Sequence, residues 1–402
     1  MKKYFKNFLT KFVEGILFLS STVTSLTIVL MIIFLFKEGI GIFNESTIDK
    51  EYVIVVNKNN PIKEISALKI KNIFDQKITR WKDINGKNDS ILLFRMDDIT
   101  TYCSEEELGA KLENVPTKLN EIISKNPTIL AYIPKKYTLK NFSGKILIEP
   151  RTTAGNLFLG KEWYPTAQPA AQFGFLPLIL GTLWVSLGAI LLALPLGLAV
   201  SIYMAEIAKD RFRSFLKPVI ELLAGIPSVV YGFFGLVVVV PLIQKVFNLP
   251  VGETGLAGAI ILAIMALPTI ITISEDAIRT TPRTMKEASL ALGASHFQTI
   301  YKVILPYSIS GITAAVILGI GRAIGETMAV LMVTGNAAVI PKTFFEPVRT
   351  IPATIAAELG EAPQGGMHFK ALFALGCILF LITMIINFTF EYISSKRKIG
   401  KR

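Results

Sequence analysis

The stretch from Glu287 to Pro306, EASLALGASHFQTIYKVILP, has the composition of a water-exposed helical segment, although it lies between two strongly apolar segments. Thr281 and Pro282 precede it and supply a helix N-cap followed by a proline in the first turn. Gly293 interrupts the helical pattern, and Pro306 is expected to end the second helix. The stretch is therefore predicted to be a helix, a turn and a second helix that docks against a partner.

Apolar runs dominate the rest of the chain. Of its 402 residues, 51% are hydrophobic, and the mean hydropathy is +0.52. About 20 apolar residues are needed to cross the hydrocarbon core of a bilayer, which is roughly 30 Å thick. The sequence therefore predicts an all-α polytopic membrane protein with both termini on one side of the membrane. Its six spans are expected near residues 13–36, 174–204, 219–243, 255–275, 310–334 and 370–391.

The distribution of lysine and arginine predicts the orientation. Basic residues flank the start of the chain, the region after the second span, the stretch around Glu287 and the C-terminus. All of them fall on one face if the N-terminus is cytoplasmic, as the positive-inside rule requires. The net charge of +12 is then mainly a topology signal, which argues against a nucleic-acid partner. The first run lacks a small-residue cleavage site and is predicted to be a membrane anchor.

A long hydrophilic segment separates the first two spans. Short β-like runs alternate there with helical stretches near residues 67–74 and 104–124, which predicts a small α/β insert outside the cytoplasm. The predicted domains are residues 1–36 with the N-terminus and first span, 37–152 with the extracytoplasmic insert, and 153–402 with five further spans and a cytoplasmic loop at 276–308.

The fifth apolar run contains two charged residues in the sequence GRAIGET, residues 321–327. Insertion scales assign about 2.5 to 3.5 kcal/mol to such a residue at the bilayer centre, so both should face the bundle interior or a water-filled cavity. Arg322 and Glu326 are four residues apart and are expected to share a helix face. They could present a guanidinium fork and a carboxylate to an oxyanion, with Thr327 as a neutral partner. The alternative is a buried ion pair that only fixes helix packing.

A Gly-Ile-Pro-Ser break lies at the start of the third span, within ELLAGIPSVVYG, residues 221–232. Backbone groups freed by such a break are tolerated at membrane depth only against protein or a water-filled path. Ser228 and Tyr231 are therefore candidate residues of a translocation path. A simple packing kink is the alternative.

Few residues suit catalysis or metal binding. The two cysteines, Cys103 and Cys377, fall in different segments, and the only histidines are His296 and His368, so no metal site and no catalytic residues are predicted. The sequence also lacks a Gly-x-x-x-x-Gly-Lys-Ser/Thr loop, so the chain is not expected to hydrolyse ATP.

Several motifs together resemble one family. GRAIGETMAVLMVTGNAAVIP, AGIPSVVYGFFGL and RTIPATIAAELGEA are similar to the phosphate ABC importer permeases of the PstC type, and EASLALG resembles their ATPase-coupling loop. The resemblance implies the type I ABC importer permease fold in a bacterial inner membrane. It implies four kinds of partner: membrane lipid, a companion permease of the PstA type, two ATPase subunits that bind ATP and Mg²⁺, and an external phosphate-binding protein. It also implies that Arg322 and Glu326 lie on the phosphate path, and that Glu287, Ala288, Gly293 and Pro306 belong to the coupling loop.

Part of the insert, residues 60–95, resembles a periplasmic phosphate-binding protein. In that family an arginine leads into a Gly- and Ser-containing loop that holds the oxyanion. Here Arg95 is followed closely by Asp97 and Asp98, whose carboxylates would repel a dianion. A role in docking the external partner is therefore preferred to phosphate binding.

Two alternatives to phosphate import stay open. One keeps the class of protein and changes the cargo to another oxyanion, such as sulfate or molybdate. The other is a membrane sensor or regulator of phosphate status. A sensor has no need for charged residues in mid-membrane or for the loop at 287–306, so import is the preferred function.

Overall fold

The computed structural model describes residues 2–49, 51–109, 112–138, 141–148 and 152–399. They form two compact units. The first, here called the membrane unit, comprises Met1–Ile40, Leu176–Pro363 and Phe369–Arg402. The second, here called the lobe, comprises Gly41–Phe175 and Gln364–His368.

Six helical segments of the described chain are long and apolar enough to cross a membrane, which confirms the prediction of a six-span, mainly helical protein. In chain order, the first to sixth spans are Thr10–Asn44, Leu176–Ile207, Ser228–Phe247, Gly255–Arg279, His296–Gly325 and Met367–Tyr392. Outside residues 41–175, the α-helices are Lys2–Ile40, Leu176–Ile202, Asp210–Ala224, Ser228–Phe234, Val240–Phe247, Gly255–Arg279, Arg283–Ala291, His296–Thr299, Leu305–Gly325, Met328–Val333, Ile351–Glu358 and Met367–Ile399.

The third span starts later than the predicted residue 219. The helix Asp210–Ala224 ends before it, and an extended residue, Pro227 with φ −59° and ψ 141°, precedes Ser228. Proline disfavours a helical conformation in the residue before it, so the Gly-Ile-Pro sequence separates the two helices. Asp210–Ala224 is thus an amphipathic helix of its own, between the second and third spans.

The fifth span differs from its prediction at both ends. It begins at His296 and passes through a π-helical segment, Ile300–Ile304, so Pro306 does not end a helix as predicted. The wider π turn accommodates the missing proline N–H. The span ends at Gly325, and Glu326 has an extended backbone with φ −71° and ψ 131°. The prediction that Arg322 and Glu326 share a helix face is therefore wrong.

The core of the membrane unit lies around the fourth span, in which 61% of the most apolar window is buried. Small residues permit close packing there, as is usual where lipid provides no hydrophobic drive for helix association. Gly188 of the second span lies against Ala259, and Gly258 lies against Val185. The corresponding window of the first span is 0% buried within the chain.

The lobe is built on a four-stranded sheet. Its strands are Tyr52–Asn57 (β1), Leu92–Arg95 (β2), Ile129–Pro134 (β3) and Gly144–Ile146 (β4), in the spatial order β2-β3-β1-β4. β3 is parallel to β2 and antiparallel to β1, which pairs antiparallel with β4. The α-helices of the lobe are Ala67–Phe74, Ile99–Tyr102, Glu105–Leu108, Val115–Lys125 and Ala154–Phe158. Ala67–Phe74 and Val115–Lys125 contribute to separate apolar clusters, which include alternate residues of β3.

The lobe continues beyond residue 152, where the sequence placed its end. A short antiparallel pair, β5 (Trp163–Tyr164) and β6 (Gln172–Phe173), belongs to it. The rings of Trp163 and Phe173 meet edge to face with centroids 5.6 Å apart, and both side chains are buried. The Ala171 amide donates a hydrogen bond to the Thr47 carbonyl at 3.1 Å, and Lys71 forms an ion pair with Glu162 at 3.1 Å. These two contacts attach residues 153–175 to the lobe, whereas the sequence alone assigned them to the permease core.

Candidate translocation site and docking segment

Arg322 lies in the last turn of the helix Leu305–Gly325 and is half-buried. Its Nη1 donates a hydrogen bond to Thr269 Oγ1 of the fourth span at 3.3 Å. Among the residues that the structure describes, no carboxylate forms an ion pair with this guanidinium. A cation without a counter-charge in a membrane helix is costly, and its other N–H groups can bind an anionic ligand.

Glu326 and Thr327 follow the helix end and belong to the link to the short helix Met328–Val333. The Glu326 Oε1 accepts a long hydrogen bond from the Ala329 amide at 3.5 Å, and the Thr327 hydroxyl donates to the Gly325 carbonyl at 3.3 Å. Both side chains are half-buried. Glu326 is therefore placed as a helix-terminus group close in sequence to Arg322, but not as its ion-pair partner.

Tyr231 and Ser228 lie on the first helix of the third span. The buried Tyr231 hydroxyl donates to the Leu223 carbonyl at 2.8 Å, across the Gly-Ile-Pro break. Leu223 is near the end of an α-helix, and its carbonyl also accepts a hydrogen bond from the Ile226 amide at 3.3 Å. Tyr231 packs in one apolar cluster with Ala323, the residue next to Arg322. Ser228 is half-buried at the start of the helix.

The helix Arg283–Ala291 and the turn after it are exposed. None of the side chains of this helix is buried, and the predicted coupling residues Glu287, Ala288 and Gly293 are all on the surface. Gly293 has φ +83°, in the left-handed region that favours glycine, as expected for the predicted turn. Pro306 lies apart from this turn and is half-buried in the fifth span.

The sequence predicted Thr281 as the N-cap of this helix, and this prediction is wrong. Pro282 occupies that position, and the buried Thr281 hydroxyl lies 3.1 Å from Ser308 Oγ of the fifth span. Thr281 therefore attaches the start of the helix to the membrane unit. Two further links hold it: Lys286 pairs with Glu206 of the second span at 2.5 Å, and Ser289 lies 3.0 Å from Thr299 between their hydroxyl oxygens.

Large apolar side chains project from residues 283–301, here called the docking segment. Leu292 is 90% exposed, and Phe297 and Tyr301 are each 74% exposed. Apolar side chains exposed together next to polar residues are typical of protein interaction sites. The docking segment therefore has the chemistry of a protein-binding surface.

A cluster of charged residues around Glu275, near the end of the fourth span, was missed by the sequence analysis. Glu275 is fully buried, and its Oε1 accepts a hydrogen bond from Arg213 Nε at 2.6 Å. Lys217 lies 3.7 Å from Oε2, and Arg279 lies 3.8 Å from Oε1. A hydrogen bond to Asp276 raises the pKa of Lys217, so its ammonium group stays charged. The signal available in the sequence was two carboxylates directly after an apolar run, but the basic residues had been assigned to topology alone.

Comparison with known proteins identifies the family. The model of the family described as "Binding-protein-dependent transport system inner membrane component" matches residues 197–399. A probable ABC transporter permease, YqgH of Bacillus subtilis, is 42% identical over 238 residues, which cover 59% of this chain and 77% of YqgH. The phosphate transport system permease PstC of Mesorhizobium japonicum is 40% identical over 255 residues, covering 58% and 77% of the two chains. The PstC of Pasteurella multocida is 36% identical over 255 residues, covering 58% and 78%.

The family model spans half of the chain, and the aligned regions span more than two thirds of each of these relatives. The six spans agree with a multi-pass membrane protein. The chain therefore belongs to the family of inner-membrane components of binding-protein-dependent transport systems.

Proposed function

We propose that the chain is the permease subunit of an ATP-driven phosphate importer and forms half of its translocation path. Family membership makes it a transport component of the inner membrane and not an enzyme. Relatives named as phosphate transport permeases support phosphate as the cargo. The observation that carries the proposal is the guanidinium of Arg322, which lies in a membrane-spanning helix with one hydrogen bond, to a threonine.

Arg322 is the proposed phosphate ligand. A guanidinium fork matches the geometry of phosphate oxygens and can bind two of them at once. Glu326 is proposed to accept a hydrogen bond from a protonated phosphate oxygen, because a carboxylate facing a fully ionised anion would repel it. Thr327, Ser228 and Tyr231 are the proposed neutral partners along the path, although the Tyr231 hydroxyl proton is donated to Leu223 in this conformation.

The docking segment is the proposed contact with the ATPase. Glu287, Ala288 and Gly293 would lie in a groove of that partner, with Leu292 and Phe297 supplying apolar contact area, and Pro306 would belong to the stem of the loop. In the proposed assembly, two ATPase subunits bind ATP and Mg²⁺, and a companion permease forms the other half of the path. Nucleotide binding then closes the ATPase dimer and opens the path outward, and hydrolysis resets it.

The proposed orientation places both termini and the docking segment in the cytoplasm. The lobe, which follows the first span, is then extracytoplasmic and is proposed to help an external phosphate-binding protein dock. Replacing residues 41–175 by a short flexible linker should leave membrane insertion intact and weaken uptake, because the binding protein would lose one of its contacts. Unchanged uptake kinetics would contradict this role.

The function is tested by phosphate uptake into vesicles that contain the complete complex, with the binding protein and phosphate outside and ATP with Mg²⁺ enclosed. ATP-dependent accumulation of phosphate is expected, with little competition from sulfate or molybdate. Strong competition by either ion would assign the permease to that oxyanion instead. A complex that hydrolyses ATP in response to its binding protein but accumulates none of the three ions would overturn the proposal.

A further inference from the structure

We infer that Glu275 is a positioning residue of the transport cycle, which links the docking segment to the translocation site through the helix Asp210–Ala224. The inference rests on the proposed function, since it concerns the movement that connects an ATPase to a substrate path. Glu275 lies near the end of the fourth span, shortly before Thr281, where the chain leaves for the docking segment.

The charges around Glu275 join two separate segments of the chain. Arg213 and Lys217, both on the helix Asp210–Ala224, face the carboxylate at 2.6 and 3.7 Å, and Arg279 approaches from its own helix. The Oε2 atom of Glu275 is buried and accepts no hydrogen bond from the described residues. Buried ion pairs contribute little net stability compared with well-packed apolar side chains. A packing role alone therefore does not explain a buried carboxylate with one oxygen lacking a donor.

The helix Asp210–Ala224 has few other attachments. Leu216 and Ile220 pack against Met204 and Ile271, but much of the rest of the helix is exposed, and Phe215 and Leu222 are 68% and 73% exposed. Glu275 and Asp276 provide the polar attachment of this helix to the fourth span, because Arg213 and Lys217 contact Glu275 and Lys217 also contacts Asp276 at 3.0 Å. Glu275 is the buried member of this pair and the one that Arg213 contacts. When the end of the fourth span moves, the helix moves with it as long as the ion pairs persist.

Contacts continue from this helix to the third span, which carries proposed residues of the translocation path. The Leu223 carbonyl at its C-terminal end accepts the hydrogen bond from Tyr231, which packs in one apolar cluster with Ala323, the residue next to Arg322. On the other side, the docking segment follows the fourth span directly in the chain, a few residues after Glu275. Under this inference, displacement of the docking segment reaches the Tyr231 hydroxyl through the end of the fourth span, Glu275 and the helix Asp210–Ala224.

The test uses the complete complex in vesicles, with phosphate uptake and ATP hydrolysis measured on the same sample. Glu275→Gln keeps the shape of the side chain and removes its charge, so the three cations lose their shared partner. We expect normal amounts of assembled complex, continued ATP hydrolysis, and at least a fivefold loss of phosphate imported per ATP. Loss of this ratio is a readout that a residue acting only in folding would not change.

Glu221→Gln is the matched control, because it makes the same change at an exposed residue of the helix Asp210–Ala224 that forms no ion pair with the described residues. Its ratio of phosphate to ATP should stay within twofold of the native value. A ratio within twofold for Glu275→Gln as well would overturn the inference. If Glu275→Gln fails to assemble, the double variant Arg213→Gln/Lys217→Gln takes its place, because it removes both cations that the helix presents to Glu275 while Arg279 still faces the carboxylate. An unchanged ratio in that variant would also overturn the inference.

Failure of the proposed function gives a different result. If the native complex imports no phosphate, that proposal fails, and stimulation of ATP hydrolysis by the binding protein becomes the measure for Glu275. Loss of stimulation in Glu275→Gln, with stimulation kept in Glu221→Gln, supports the positioning role for whatever cargo the complex carries. Equal stimulation in both variants overturns it.

Discussion

The surroundings of Arg322 and Glu275 differ, although both residues carry a charge on an apolar helix of the membrane unit. Glu275 is fully buried and has three cations within 3.8 Å. Arg322 is half-buried, and its one hydrogen bond goes to the neutral hydroxyl of Thr269. Both charges are expensive to place in a membrane protein, but only the charge of Glu275 is compensated within the described chain.

Glu275 and Arg322 therefore illustrate two functions of a charged residue on an apolar helix. A compensated charge holds segments of the protein together, because its partners come from the protein itself. A charge without a counter-ion is available for one that arrives from outside, such as an oxyanion. The comparison predicts that changes at Arg322 mainly affect transport, whereas changes at Glu275 affect stability and coupling.

The largest effect is expected for Arg322→Gln. Removing a partly buried cation that binds an anion should reduce phosphate uptake about a thousandfold, or about 4 kcal/mol. ATP hydrolysis should still respond to the binding protein, because the docking segment is unchanged. Uptake into vesicles and ATP hydrolysis are measured in parallel, with Thr269→Val as a control that removes only the neutral partner. Unchanged uptake in Arg322→Gln would show that the charge of Arg322 has a structural role, and the contrast with Glu275 would no longer hold.

A large effect on stability is expected for Glu275→Ala. The change leaves three cations around an empty position, which should cost about 3 kcal/mol of the free energy of unfolding. Thermal unfolding of the purified chain in detergent measures this effect. Arg322→Ala is the matched variant and should lower stability by less, because it removes an uncompensated charge. Equal losses of stability in the two variants would contradict the proposed division between the sites.

Arg322→Lys should have an intermediate effect. It tests whether Arg322 binds phosphate through the geometry of its guanidinium group or through its charge alone. The positive charge persists, but an ammonium group cannot bind two phosphate oxygens with the planar geometry of a guanidinium. We expect about a tenfold loss of uptake, equivalent to about 1.4 kcal/mol. Uptake is measured as a function of the concentration of loaded binding protein. Native uptake by the lysine variant would indicate that Arg322 provides charge alone.

The smallest effect is expected for Tyr231→Phe, which lies between the two sites. The change removes the donor to the Leu223 carbonyl, and a single hydrogen bond of this kind contributes about 1 kcal/mol. Phosphate imported per ATP should fall about twofold, in the same direction as for Glu275→Gln, while the complex still assembles. Tyr203→Phe is the matched control, because it removes a hydroxyl from a tyrosine that is 41% exposed. A loss of uptake as large as that of Arg322→Gln would instead make the Tyr231 hydroxyl a principal phosphate ligand.

Local patterns predicted the parts of the molecule that depend on neighbouring residues. The six spans follow from the transfer free energy of long apolar runs, and the turn at Gly293 follows from the conformational freedom of glycine. Predictions failed where one residue interrupts a helix. The start of the third span and the end of the fifth span were misplaced because Pro227 and Gly325 separate helices within runs that are otherwise mainly apolar.

The candidate site was predictable only in part. Arg322 is conspicuous in the sequence because a charge in an apolar run is rare. Its separation from Glu326 was not predictable, since a four-residue spacing places two side chains on one face only if the helix continues between them. Nor does the lobe end where the composition changes, because the Ala171–Thr47 hydrogen bond and the Lys71–Glu162 ion pair join residues 153–175 to it.

The sequence by itself determined that this chain crosses a membrane six times, carries an exposed helical loop between two spans and has an arginine within an apolar helix. Each of these properties depends on the solvation of a contiguous segment. Tertiary structure alone decided that Arg213, Lys217 and Arg279 meet at Glu275, while Arg322 donates a hydrogen bond to the hydroxyl of Thr269. Pairing between distant charges depends on which helices pack together, and a one-dimensional pattern of charge and hydropathy contains no such distance.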